Sequence, residues 1–195
     1  ASDAFGNGGR DMVVAALKEL GAEPVLVQGY NNGEKDFTAV VTAVKKSGAN
    51  ALVTYMTFST DLGILARQLK QLGAQVKWVG SPSITAVDGR NLAGDALYGT
   101  YGITDFHVDS SPTAKAFATA YKAKNGVEPD LYAAWTYDAV LVLAEAMKKA
   151  PDLKAESLRN AILAIKKFPG AEGEYNFDQN GDGLDHYYIV QNEKG

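Results

Sequence analysis

Over the first hundred residues, short β-branched runs alternate with longer stretches whose apolar residues recur every three or four positions. That alternation restricts the fold more than any single motif does. Met12, Val13, Ala16, Leu17 and Leu20 share a helical face from about Gly9, and Gly21 closes the run. VLVQ at 25–28 then reads as a strand. Asp36 stands where an N-cap belongs, ahead of Phe37, Val40, Val41 and Val44, and Ser47-Gly48 ends that helix. ALVTY at 51–55 is the next strand, followed by a helix capped by Ser59 or Thr60 that carries Leu62, Leu65, Leu69 and Leu72. Lys77–Val79 and Gly99–Ile103 continue the series as strands. Such a pattern implies right-handed βαβ crossovers and a parallel sheet, an α/β fold.

After Phe106 the pattern changes. Ser111-Pro112 is a cap with a first-turn proline, opening a helix with Phe117 and Tyr121 that ends at Asn125-Gly126. Asp130 caps a long helix with Trp135, Leu141, Ala144 and Met147, and a third helix after Pro151 carries Leu158, Ala161, Ile162 and Ile165. Three successive apolar-faced helices need a sheet or one another to cover them. Glu174–Phe177 and His186–Val190 are strand candidates around FDQNGDG.

The formal net charge of -4 lacks the basic excess of a nucleic-acid binder. No apolar run has the length of a membrane span. The absence of cysteine removes thiol catalysis, cysteine metal sites and disulfides together. The beginning ASDAFG reads as the interior of a longer chain, so the lack of a visible leader says nothing about export.

Several motifs invite chemistry. AFGNGGRD would suit a phosphate if it followed a strand with G-x-G-x-x-G spacing; the strand is absent and the spacing is G-x-G-G. Its helix-start N–H groups can still face an anionic or polar ligand, with Phe5 as an apolar wall. DQNGDG places Asp178, Asn180 and Asp182 like the start of a calcium loop, but Ile189 stands where the bidentate glutamate belongs, and a turn between two strands fits better. His107 and His186 have no acid or nucleophile at motif spacing. The paired lysines 45–46, 148–149 and 166–167 fall in last helical turns, where cations complement the dipole. No catalytic residue, metal site or cofactor is expected. MTFST at 56–60 and GSPSITAVD at 80–88 follow strands, at the usual ligand edge of an open parallel sheet. Their aromatic and hydroxyl content suits a small-molecule pocket, and equally an ordinary loop.

Taken in order, AFGNGG, GEKDF, LARQLKQLGA, NLAGDALYGTYG, AKAFATAYKAKNGVEPDLYAAWTYDAVLVLAEAM and GEYNFDQNGDG span essentially all 195 residues. The set resembles the type I periplasmic binding proteins of the branched-chain amino acid (Leu/Ile/Val) ABC importers. The resemblance implies two α/β lobes joined by hinge crossovers, with the ligand between them. It assigns residues 1–104 and 174–195 to the second lobe and 105–173 to the helical part of the first. The strands of the first lobe, and the strand preceding Ala1, would lie outside this chain, leaving apolar faces for that missing lobe or another copy to cover.

By position, the resemblance makes Phe5, Phe58, Ser59 and Tyr132 ligand-lining, with Ser81 and Ser83 in the loop where amino-acid binders carry a glutamate for the ligand ammonium. It implies a small-molecule solute-binding component of an ABC importer, periplasmic or an extracellular lipoprotein, that meets a membrane permease and catalyses nothing. The branched-chain amino acids and related small carboxylates or amides are the implied ligands. The alternative is a ligand-sensing domain of a receptor or transcription regulator with the same fold.

Overall fold

A computed structural model describes residues 1–194. Contacts divide them into two compact units, residues 1–103 with 189–194, and Thr104–Tyr188.

In the first unit, α1 (Ala4–Glu19) begins five residues earlier than periodicity predicts. Asp3 caps it, its Oδ1 accepting the Gly6 N–H at 2.7 Å. The glycines of the first turns are there for packing. A Cβ at Gly9 would lie 2.1 Å from the Tyr55 ring, so only glycine lets the helix seat against that side chain. The expected strand at 25–28 does not form; Val25 and Val27 are 71% and 51% exposed. Valine-rich backbone becomes a strand only where a neighbour completes its hydrogen bonds, and no ladder partner lies beside it.

Next come α2 (Thr38–Ser47), β1 (Ala51–Thr54), α3 (Ser59–Gln71) and β2 (Lys77–Gly80). A 3-10 turn at Pro82–Thr85, α4 (Val87–Ala93) and a second 3-10 turn at Gly94–Leu97 lead to β3 (Tyr101–Thr104). Asp36 works from just outside α2: its Oδ1 accepts the Thr38 N–H, and Phe37 takes the cap position.

In the second unit, α5 (Pro112–Asn125) and α6 (Leu131–Lys149) are capped as expected by Ser111 and Asp130, which accept from the N–H groups of Ala114 and Ala133. They are followed by α7 (Ala155–Leu163) and the antiparallel pair β4 (Phe168–Pro169) and β5 (Glu174–Tyr175). Tyr175, Phe177 and Leu184 pack with Val142, Ala146 and Ile165, which holds residues 174–188 in this unit. Leu131, Ala134, Val142 and Ala146 bury one side of α6, while Val140, Leu143 and Met147 leave an exposed apolar stripe on another.

The chain then returns to the first unit as β6 (Tyr188–Gln191), giving the sheet order β1-β2-β3-β6. β1 and β2 pair in parallel, with Ala51 opposite Lys77 and Thr54 opposite Gly80, and β2 and β3 likewise, with Val79 opposite Tyr101. Burial alternates along these strands. Trp78 joins Phe37, Val41, Leu62, Leu65, Leu69 and Ile84 in the core under α2 and α3, whereas Val53, Val79, Tyr101 and Ile189 are exposed.

Candidate functional site

The carboxyl ends of β1 and β2 carry the loops that precede α3 and α4, and the N-terminus of α1 lies beside the first of them. Asp3 ties this region together. Beyond its cap to Gly6, its Oδ2 accepts from the Thr57 hydroxyl at 2.5 Å and from Asn32 Nδ2 at 2.6 Å. The bonds from Thr57, Asn32 and Gly6, in that order of weight, hold the Asp3 carboxyl down at about 2. The Ala1 amino group donates to the Tyr55 carbonyl at 2.9 Å, and Ser2 N–H to the Tyr30 carbonyl at 2.8 Å. Asp61, buried in the first turn of α3, accepts the Gly33 N–H at 2.8 Å and draws the glycine loop onto the same side.

On this base stands an aromatic surface. The Phe5 ring lies 4.8 Å from that of Tyr55, tilted by 48°, and Phe5 remains nearly half exposed. Phe58, at the cap position of α3, is half exposed as well, and Ser59 beside it is partly buried. Phe5 and Phe58 thus each present a half-exposed ring, on segments that Asp3 joins through Gly6 and Thr57. Among the described residues no cluster of three or more ligating side chains is built to hold a metal.

Ser81 and Ser83 are placed otherwise. Both are buried. The Ser81 hydroxyl accepts the Met56 N–H at 3.1 Å and lies 3.1 Å from the Ser83 hydroxyl, so the pair locks the 56–58 turn to the end of β2. Tyr132 belongs to the second unit, where it packs edge-on against Trp135 at 5.3 Å and keeps an exposed edge. Its hydroxyl is pushed above the usual tyrosine range by burial first and by the Asp130 charge second. DQNGDG is a closed turn: Asp178 Oδ1 accepts the N–H groups of Asn180, Gly181 and Asp182.

A family model described as "Periplasmic binding protein" matches residues 1–195. The chain belongs to the periplasmic binding protein family. It is 31% identical over 194 residues to Leu/Ile/Val-binding protein homolog 1 of Brucella abortus, covering 98% of this chain and 51% of that protein. It is 29% identical over 178 residues to the leucine-, isoleucine-, valine-, threonine- and alanine-binding protein of Pseudomonas aeruginosa, covering 91% of this chain and 47% of that one. Among solved structures, the leucine-binding protein LivK of Thermotoga maritima superposes with a TM-score of 0.90 at 25% identity, over 98% of this chain and 55% of that one. LivJ of Streptococcus pneumoniae, solved in complex with isoleucine, superposes at 0.84 and 25% identity, over 98% of this chain and 54% of that one. These relatives are named as binding proteins, and the chain spans about half their length. No described helix is long and apolar enough to cross a membrane.

For a periplasmic binding protein, sequence reasoning missed two residues of the aromatic surface. Asp3 is not legible as a cap, since the periodic residues begin only near Gly9, and its bonds to Asn32 and Thr57 join positions 29 and 54 residues apart, which no local pattern shows. Tyr55 reads as a strand residue, and only the fold stacks it on Phe5.

Proposed function

We propose that this chain is part of the small-molecule solute-binding component of an ABC importer, with a branched-chain amino acid or a related small carboxylate or amide as ligand. Residues 1–104 and 174–195 are assigned to the second lobe and residues 105–173 to the helical part of the first, although residues 174–188 pack with the Thr104–Tyr188 unit. Ligand held between the lobes shifts the protein from open to closed, and a membrane permease reads the closed form. The protein works in the periplasm or as an extracellular lipoprotein, and it changes no covalent bond in its ligand.

The observation that carries this reading is the pair of half-exposed rings of Phe5 and Phe58, on segments that Asp3 joins at the carboxyl edge of a parallel sheet, in a chain matched end to end by the family. Phe5, Phe58 and Ser59 supply the apolar and hydroxyl contacts of one lobe and Tyr132 an aromatic of the other. Ser81 and Ser83 act from behind, by fixing the loop. With no carboxylate among residues 80–85, a ligand ammonium lacks at that place the partner that a closed cleft requires, which favours amides and aromatic or other small carboxylates alongside the branched-chain amino acids.

Two uncovered surfaces support a larger whole. A groove of about 600 Å³ runs between α1, residues 22–30 and the free edge of β1, with Val25, Val27 and Val53 along it. The exposed stripe of α6 is the second. Polypeptide beyond these residues, the rest of the binding fold, covers both; a second copy is the competing occupant.

The test is calorimetry on the protein at the length of its relatives, with leucine, isoleucine, valine, small amides and aromatic acids as ligands. Phe5→Ala and Phe58→Ala each weaken binding about tenfold or more while unfolding stays cooperative, the scale of a buried aromatic contact. Unchanged affinity in both variants removes the site.

A further inference from the structure

Three carboxylates and a phenol meet inside the second unit. Asp138, in the middle of α6, is 0% exposed, and its oxygens accept the N–H groups of Ala171 at 2.8 Å and Glu172 at 2.9 Å, with the Tyr175 hydroxyl 3.4 Å from Oδ2. Its needs are met from the 171–175 turn. Glu172 and Asp105 are less fully served. They are 3% and 8% exposed. Glu172 Oε2 accepts from the Tyr175 hydroxyl, but Glu172 Oε1 and Asp105 Oδ1 are buried with no donor. The Asp105 carboxyl lies near enough to that of Glu172 to act on its charge. No ion pair among the described residues includes either one.

Two ionised carboxylates near each other, buried and without a cation, repel each other and leave acceptors unsatisfied. A single proton between them resolves both faults. It removes one charge and turns two orphaned oxygens into a carboxyl–carboxylate hydrogen bond, among the stronger kinds.

We propose that Asp105 and Glu172 share one proton at neutral pH, Glu172 donating it to Asp105, so that the second unit takes up a proton as it folds and loosens as the solution becomes alkaline. Tyr175 already donates to the other oxygen of Glu172, which leaves Oε1 to carry the proton. The groups facing Glu172 are Asp105 after β3, Asp138 on α6 and Tyr175 on β5. His186 packs against Gly173 and bonds to Asp185. Burial is the main cause that pushes the Glu172 carboxyl up to about 8; the bond from Tyr175 opposes it, and the charges of Asp105 and Asp138 add to it. The Tyr175 phenol is itself pushed well up, by burial first and by Glu172 second, so it remains a donor throughout.

The sign follows from linkage. Between the ordinary value of 4.5 and about 8 the folded protein holds a proton that the unfolded chain has released. Stability from this group is complete below pH 4.5, declines through that window, and is flat above it. The folding constant falls by up to about tenfold per pH unit there.

Urea unfolding of the 195-residue chain from pH 5 to 9, beside Glu172→Gln, tests this. The glutamine oxygen still accepts from Tyr175 and its amide donates permanently to Asp105, so the variant is expected to lose the decline between pH 5 and 8. Parallel profiles for the two proteins would overturn the proposal. A second measurement needs no variant: carboxyl carbon NMR of glutamate-labelled wild type should show one glutamate with a midpoint near 8. Every glutamate titrating below pH 6 would overturn it equally.

Discussion

Asp3 holds Gly6, Asn32 and Thr57 through one carboxylate, and the aromatic surface rests on that grip. Its carboxyl is depressed from 3.8 to about 2, so its contribution to the folded state is present above pH 4 and lost as the pH falls through 2. The Gly6 amide resonance is therefore expected to titrate with a midpoint near 2 in wild type. In Asp3→Asn the helix cap survives, that acid transition disappears, and Phe5 loses its fixed place. Gly9 is the second control point. Gly9→Ala drives a methyl into the Tyr55 ring and is expected to unseat the Phe5–Tyr55 pair, seen as altered aromatic circular dichroism with the helical signal retained. The glycines were visible in the sequence; the Asp3 cap and the ring that stands above Gly9 were not.

Two of the helices formed where their own residues put them, while α1, α2 and α3 are capped by Asp3, Phe37 and Phe58 rather than at the positions expected. Ser111 with Pro112 and Asp130 start α5 and α6 because a cap needs only the next turn of chain. Ser111→Ala is expected to destabilise the second unit by about 1 kcal/mol in urea unfolding, with Ser111→Thr nearly neutral. Leu62, a fully buried residue of α3, is a core position read from periodicity, and Leu62→Ala is expected to cost about 2–5 kcal/mol. The valines at 25–28 have equal β propensity and remain outside the sheet, since a strand requires a neighbour that these residues do not supply.

At the scale of the molecule, apolar side chains line a groove beside β1 and a stripe on α6. If additional chain fills the groove beside β1, Val27→Ser changes the stability of this 195-residue chain by no more than about 0.5 kcal/mol. The same substitution then destabilises the protein at the length of its relatives by about 1–3 kcal/mol, because only there is the side chain buried. Equal effects in both would show that the groove stays open. The sequence by itself determined the α/β alternation, the caps of α5 and α6, the core faces and the family, because each is written in residues near one another or in their order. Tertiary structure alone decided that Asp3 joins three segments, that Ser81 and Ser83 turn inward to hold a loop, and that Asp105, Asp138 and Glu172 converge. Those outcomes depend on which distant side chains share a volume, and periodicity along a chain carries no record of that.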